Sequence, residues 1–267
     1  MAAPAPFART NILGVGVSAI NMAQAVSQIE RWIADDAREY VVVACVNDIM
    51  HAHRNPALRR MTNAAGMVTP DGMPLVFLSR WLGQRHVDRV YGPDLMLAVS
   101  AMMAERGYRS FYYGGAAGVP EQLAAVMTER FPGLVVCGAY SPPFRPLTPE
   151  EDAAIVAQIN AAEPDVVWVA LGCPKQTIWM AEHRDRLNAP VLIGVGAAFD
   201  FHTGRIPQAP RWMQRRALEW LFRLKTEPRR LWRRYLIYNP LFVWYVLLQL
   251  TGLRRVPLDG VREQRGG

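Results

Sequence analysis

A chain of 267 residues that is 51% hydrophobic is long enough for a large α/β domain with an appendage, and too apolar to be disordered throughout. Its three cysteines (Cys45, Cys137 and Cys173) are odd in number, far apart and without metal-ligand spacing, which argues against a disulfide-stapled secreted fold and for a reducing compartment. The net charge of +7 is concentrated: residues 205–235 hold ten Lys/Arg against two Glu, so the rest of the chain is close to neutral.

The opening stretch MAAPAPFARTN has no basic region followed by an apolar run, so no signal peptide is expected. Strands are expected at 12–17, 40–46, 110–113, 134–139, 165–170 and 191–195. The apolar runs VVVACV and VVWVAL fit strands covered on both faces. Helices are expected at 22–37, 93–106, 120–131 and 149–162; Thr148, Pro149 and Glu151 read as a capping box with proline at the first helical position. This alternation predicts an α/β fold over residues 1–204, a Rossmann-like, largely parallel sheet flanked by helices.

The character changes after Gly204. Residues 205–255 read as a basic helical appendage without strand signal, and 256–267 as a disordered tail. The apolar section 236–253 is interrupted by Asn239, Pro240, Gln249 and Gly252. Its unbroken part, 241–248, is far shorter than the roughly 20 residues of a spanning helix. Arg233, Arg234, Arg254 and Arg255 flank it, and Tyr238, Trp244 and Tyr245 lie within it. That suits a membrane-associating helix lying in the interface of an anionic leaflet. The alternative is an amphipathic helix packed on the domain or on another subunit, which would make the protein an oligomer.

Ligands of such sheets bind at the loops that follow the strands. Asn47 and Asp48 follow VVVACV. Asp71 lies in TPDGMPL between two expected helices, with Gly72 allowing a tight turn. Arg89 precedes YGPDL, Lys175 and Gln176 follow VALGCP, and Asp200 and His202 follow IGVGAAF. Gly114 and Gly115, with Gly118, form a glycine-rich turn that could admit a phosphate, without the full dinucleotide spacing. Each has a plainer reading: Asp71 as turn former, Asn47 and Asp48 as helix caps, His202 as a structural residue, and His51 and His53 on different faces of one helix. No zinc motif, nucleophile elbow or Asp-x-Asp pair is found, so neither metal nor cofactor is expected. The arginines of 205–235, interleaved with Trp212, Trp220, Phe222 and Trp232, suit an anionic partner: a diphosphate, a lipid headgroup or a nucleic acid.

The segments NILGVGVSAIN, PDGMPLV, RVYGPDL, YYGGAAG, LGCPKQTIWM, GVGAAFDFHTG and APRWMQRRALEWLFRLKTEPRRLWRRY, in this order, resemble the WecG/TagA/CpsF glycosyltransferase family over about residues 11–235. The resemblance implies transfer of a sugar from a UDP-sugar to a polyprenyl-diphosphate-linked saccharide, with inversion and without a metal. It places the enzyme peripherally on the cytoplasmic face of the bacterial inner membrane. It makes Asp71 the catalytic base, puts Asn47, Arg89 and Gln176 in the acceptor-sugar pocket, and puts Asp200 at the nucleotide. It casts Arg223, Arg230 and Arg233 as catalytic arginines of the appendage. The Gly114–Gly115 turn, read from its own residues as a phosphate site, is expected at the nucleotide as well. Two positions depart from the family pattern. Cys45 stands where the family has Thr, and Thr177 where Glu is common. Cys45 points to an altered acceptor pocket and leans the expectation toward a hexose for exopolysaccharide assembly. The competing reading is a non-enzymatic basic module that binds membrane or nucleic acid; no nucleic-acid fold is recognisable, and no nucleic-acid partner is expected. A nicotinamide oxidoreductase would need a dinucleotide fingerprint that is missing.

Overall fold

The computed structural model describes residues 7–260, apart from the side chains of Arg230 and Arg234. Strands β1 (Arg9–Ile12) and β2 (Val15–Ser18) lead to α1 (Met22–Ala34), β3 (Glu39–Ala44), α2 (Val46–Arg54), α3 (Pro56–Ala64), β4 (Met67–Pro70) and α4 (Met73–Trp81). Then come α5 (Gly92–Arg106), β5 (Arg109–Gly114), α6 (Val119–Arg130), β6 (Val135–Tyr140), α7 (Pro149–Ala161), β7 (Val166–Ala170), α8 (Lys175–His183), β8 (Val191–Gly194) and α9 (Ala198–His202). Helices α10 (Arg211–Arg215), α11 (Glu219–Thr226) and α12 (Pro228–Arg233), a π-helical turn (Arg234–Tyr238) and α13 (Asn239–Leu250) complete the described chain.

The six-stranded sheet has the order β4-β3-β8-β7-β5-β6, and the pairings from β3 to β6 are parallel. Strands β3 and β7 are buried along their whole length, as the apolar runs 40–44 and 166–170 require. The expected strand 40–46 stops at Ala44 because Cys45 is already the N-cap of α2. Two differences from the sequence reading concern strands. The stretch 12–17 is no continuous strand: Leu13 (φ 52°) and Gly14 (φ 86°) turn the chain, and β1 pairs antiparallel with β2, Ile12 opposite Val15. Strand β4 was not expected. Its four residues MVTP are too short to show a period, yet all are buried. Asp71 therefore follows a strand and does not lie between two helices.

By its internal contacts the chain divides into two compact units. The first gathers 22–42 and 92–206; the second gathers the stretch ending at Asn21, residues 43–91 and the stretch from Pro207 onward. In the first, Trp168, Tyr112 and Phe111 fill the interior, and Phe199 meets Tyr112 edge-on at 5.7 Å. Arg184 is buried and donates to the carbonyls of Glu39, Leu187 and Ala189; burial lowers its pKa to about 10. Thr148 accepts from Glu151 N, and the Glu151 carboxylate accepts from Thr148 N, completing the expected capping box of α7.

In the second unit, α13 is held by polar hooks. Gln249 accepts from Leu13 N at 2.8 Å and donates to Asn11 O at 3.0 Å. On α2, His51 meets Tyr238 edge-on at 5.6 Å and His53 lies 5.1 Å from Tyr245. Residues 256–259, read from the sequence as the start of the tail, are tied down: Asn11 Nδ2 donates to Val256 O, Asn63 Nδ2 to Asp259 O, and Arg59 pairs with Asp259 at 3.0 Å. Residues 261–267 lie outside the described residues. No described helix is long and apolar enough to cross a membrane.

Candidate active site

The end of β3 and the end of β4 bring two expected loops together within the second unit. Asp71 N donates to Ala44 O at 2.9 Å, which fixes the Asp-Gly turn beside the N-terminus of α2. Gly72 then caps α4. At the head of α2 the Asp48 carboxylate accepts from both Cys45 N (3.0 Å) and Cys45 Sγ (2.9 Å), so Asp48 serves the helix cap. Asn47, the residue before Asp48, is buried.

These loops line a cleft of about 110 Å³. Cys45, Asn47, Asp71 and Arg89 supply one part of its wall; Gln214, Glu219, Trp220, Arg223 and Tyr235, from the C-terminal helices of the same unit, supply the other. Five of the expected site residues (Cys45, Asn47, Asp71, Arg89 and Arg223) thus share one cavity.

Arg89 is its most constrained side chain. Nε donates to Asp71 O at 2.5 Å, Nη2 donates to Glu219 Oε2 at 2.6 Å, and the guanidinium lies 4.0 Å over the Tyr91 ring. The Tyr91 hydroxyl donates to Glu219 Oε1 at 3.1 Å. Burial alone would lower the Arg89 pKa, but the charges of Asp71 and Glu219 outweigh it and hold it above its ordinary value. Burial, then the charges of Glu219 and Asp71, push the Tyr91 phenol upward, so it stays a donor at neutral pH. Arg223, mostly buried, pairs with Glu227 at 3.4 Å, one helical turn on.

The other expected arginines are placed differently. Arg233 is exposed, 5.2 Å over the Trp232 ring, and does not line the cleft. The Arg230 side chain lies outside the described residues. Helix α11 ends at Thr226, and Glu227 (φ −132°, ψ 56°) interrupts the path to α12, so positions 223 and 233 do not keep the register of one continuous helix.

The remaining candidates belong to the first unit. Gly114 (φ 115°) ends β5, and a Cβ there would lie 2.7 Å from the Ala170 carbonyl; only glycine fits. Gly115 (φ 77°) donates its N–H to Ala170 O at 3.0 Å, and Gly118 (φ 81°) caps α6. Gly115 also approaches Phe199, the neighbour of Asp200, so the glycine turn and α9 sit together beyond the carboxyl ends of parallel strands. Asp200 lies 3.7 Å from Arg205. Gln176 is buried and accepts from Gly196 N at 3.0 Å. His202 contacts Pro93 O through Nε2 at 3.0 Å, and burial lowers its pKa. Among the described residues, no group of three His, Cys, Asp or Glu is placed to hold a metal ion.

The sequence reading missed Glu219 and Tyr91. Tyr91 lies within the quoted segment RVYGPDL but is not singled out there. Glu219 did give a signal, as one of only two acids in a segment of ten cations.

The model of the glycosyl transferase WecG/TagA/CpsF family matches residues 10–256. An N-acetylglucosaminyldiphosphoundecaprenol N-acetyl-beta-D-mannosaminyltransferase of Bacillus spizizenii (strain ATCC 23059 / NRRL B-14472 / W23) is 31% identical over 212 residues, 79% of this chain and 80% of the relative. A protein of the same name from Bacillus subtilis (strain 168) is 33% identical over 175 residues, 65% of this chain and 66% of the relative. With the family's segments in order along the sequence and a helix-flanked parallel sheet beneath them, this chain belongs to the WecG/TagA/CpsF family and is a glycosyltransferase.

Proposed function

We propose that the enzyme moves an N-acetylhexosamine or hexose from a UDP-sugar to a polyprenyl-diphosphate-linked saccharide by a single inverting displacement. Asp71 takes the proton of the acceptor hydroxyl as its oxygen attacks C1. The C1–O bond to the β-phosphate breaks, and UDP leaves with the electron pair. Arginines, in place of a divalent ion, neutralise the departing diphosphate. The observation that carries this reading is the meeting of Asp71 with Arg89, Asn47 and Arg223 in one partly buried cleft. A carboxylate for the incoming alcohol and fixed cations are what such a step needs.

Within the proposal, Arg223 serves the leaving diphosphate, together with Arg230 and Arg233 from the sequence reading. Cys45, Asn47 and Arg89 of the cleft bind the acceptor; the acceptor role of Gln176 and the nucleotide roles of Gly114, Gly115 and Asp200 rest on the sequence alone. The relatives' names favour an N-acetylhexosamine as the transferred group and a diphosphoundecaprenol acceptor. The β-linkage in those names is what one displacement yields from an α-linked nucleotide sugar. The test is a panel of UDP-N-acetylmannosamine, UDP-N-acetylglucosamine and UDP-glucose against a lipid-linked N-acetylglucosamine, with and without EDTA. Expected is β-linked product from one UDP-N-acetylhexosamine, undiminished by EDTA. Turnover of UDP-glucose alone would restore the hexose expected from the sequence, and abolition by EDTA would end the metal-free reading.

The same proposal places the enzyme peripherally on the cytoplasmic face of the inner membrane. Support comes from α13, where Val243, Trp244 and Leu247 are 56%, 57% and 50% exposed while Phe242 and Val246 are buried. Burying such side chains in lipid is worth about 1.5–3 kcal/mol each. Replacing Trp244 and Leu247 with Glu should therefore lower flotation with anionic vesicles at least about tenfold. Undiminished flotation would remove α13 from the membrane contact.

A further inference from the structure

We propose that Glu219 is a positioning residue for acceptor recognition: gripping Arg89 and Tyr91 together, it fixes the Arg89 guanidinium in the orientation that the acceptor sugar meets. The inference rests on the acceptor role proposed for Arg89.

Arg89 is held at three points: Nε on the Asp71 carbonyl, Nη2 on Glu219, and the Tyr91 ring against its plane. A planar fork restrained in this way has a set direction for its remaining N–H groups. Both Glu219 oxygens are engaged, Oε2 by Arg89 and Oε1 by the Tyr91 hydroxyl. The Arg89 and Glu219 side chains are only 16% and 17% exposed, so solvent screens this pair far less than a surface pair. Glu219 and Asp71 are the only carboxylates among the residues lining the cleft, and both act on Arg89. Without Glu219, Arg89 loses its Nη2 anchor and the Tyr91 hydroxyl loses this acceptor, so the direction of the fork is no longer set.

Glu219 also opens α11, where a negative charge favours the helix N-terminus. A purely local role would be met by any acid facing solvent there. The contact actually made reaches a residue 130 positions away.

The experiment compares Glu219→Gln, Glu219→Asp and Asp71→Asn with the parent protein, measuring initial rates with a UDP-sugar and a short lipid-linked acceptor, and the melting temperature of each. Expected for Glu219→Gln is an acceptor KM raised about ten- to a hundredfold, as for loss of a charged hydrogen bond, with the donor KM unchanged. Glu219→Asp, which keeps the charge one methylene short, should recover part of that loss. An unchanged acceptor KM overturns the inference. So does a parallel loss for both substrates that follows a fall in melting temperature and is not recovered by Asp. Asp71→Asn separates the two levels: full activity there sinks the proposed reaction itself, whereas an inactive Asp71→Asn beside a normal Glu219→Gln sinks only the positioning role.

Discussion

Asp71→Asn should lower turnover by about 10²–10⁴-fold, the usual contribution of a general base, with the melting temperature close to that of the parent. The amide keeps the size of the carboxylate but cannot accept the proton of the attacking hydroxyl. The fold should tolerate the change because the turn is fixed through backbone atoms: Asp71 N on Ala44 O, and Arg89 Nε on Asp71 O. Neither bond involves the carboxylate. Donor KM should move little, since the carboxylate is proposed to act on the acceptor hydroxyl and the groups proposed for the nucleotide and its diphosphate are left unchanged. Steady-state kinetics with saturating donor, beside a thermal melt, make the check. A variant that turns over like the parent would move the base to another residue, and one that fails to fold would show Asp71 to be structural.

Gly114→Ala is expected to be strongly destabilising to the first unit. At φ 115° an L-residue is strained by about 1–3 kcal/mol, and the new methyl would also sit 2.7 Å from the Ala170 carbonyl. That carbonyl belongs to the neighbouring strand β7, in parallel register with Gly114, and it accepts the Gly115 N–H. It cannot retreat without breaking the register. A combined cost of about 3 kcal/mol or more corresponds to a melting temperature lower by roughly 6–12 °C. Gly118→Ala is the control: φ is 81° but nothing lies within 4 Å, so only the backbone strain of about 1–2 kcal/mol remains. Equal melting of the two variants would show that the close approach to Ala170 does not matter.

What could be read in advance follows the range of the interactions. The strands β3 and β7 announce themselves because burial on both faces leaves unbroken apolar runs. The cap of α7 is local, so Thr148 and Glu151 suffice to see it. The hairpin β1–β2 was hidden because Leu13, not glycine, takes one of its two left-handed positions. Strand β4 is defined by its packing and not by its own pattern. In the cleft, Asp71, Asn47, Arg89 and Arg223 were legible as motif residues, and Cys45 by its departure from the family pattern. Arg233 rests on the family resemblance alone; its side chain is exposed and is not among the residues that line the cleft. Glu219 stands out in sequence as one of two acids among ten cations, but its partners Arg89 and Tyr91 are too distant in the chain to be read from it.

The second unit is assembled from three separated stretches of chain, and its ties are correspondingly distant: Arg89 to Glu219 spans 130 positions and Asn11 to Val256 spans 245. Contacts of such separation form late, after the entropy of closing long loops has been met. During synthesis the cleft therefore stays unfinished until its last wall has left the ribosome. On the proposed reading of the cleft, a nascent chain that has not yet delivered residues 214–239 lacks one wall of the site.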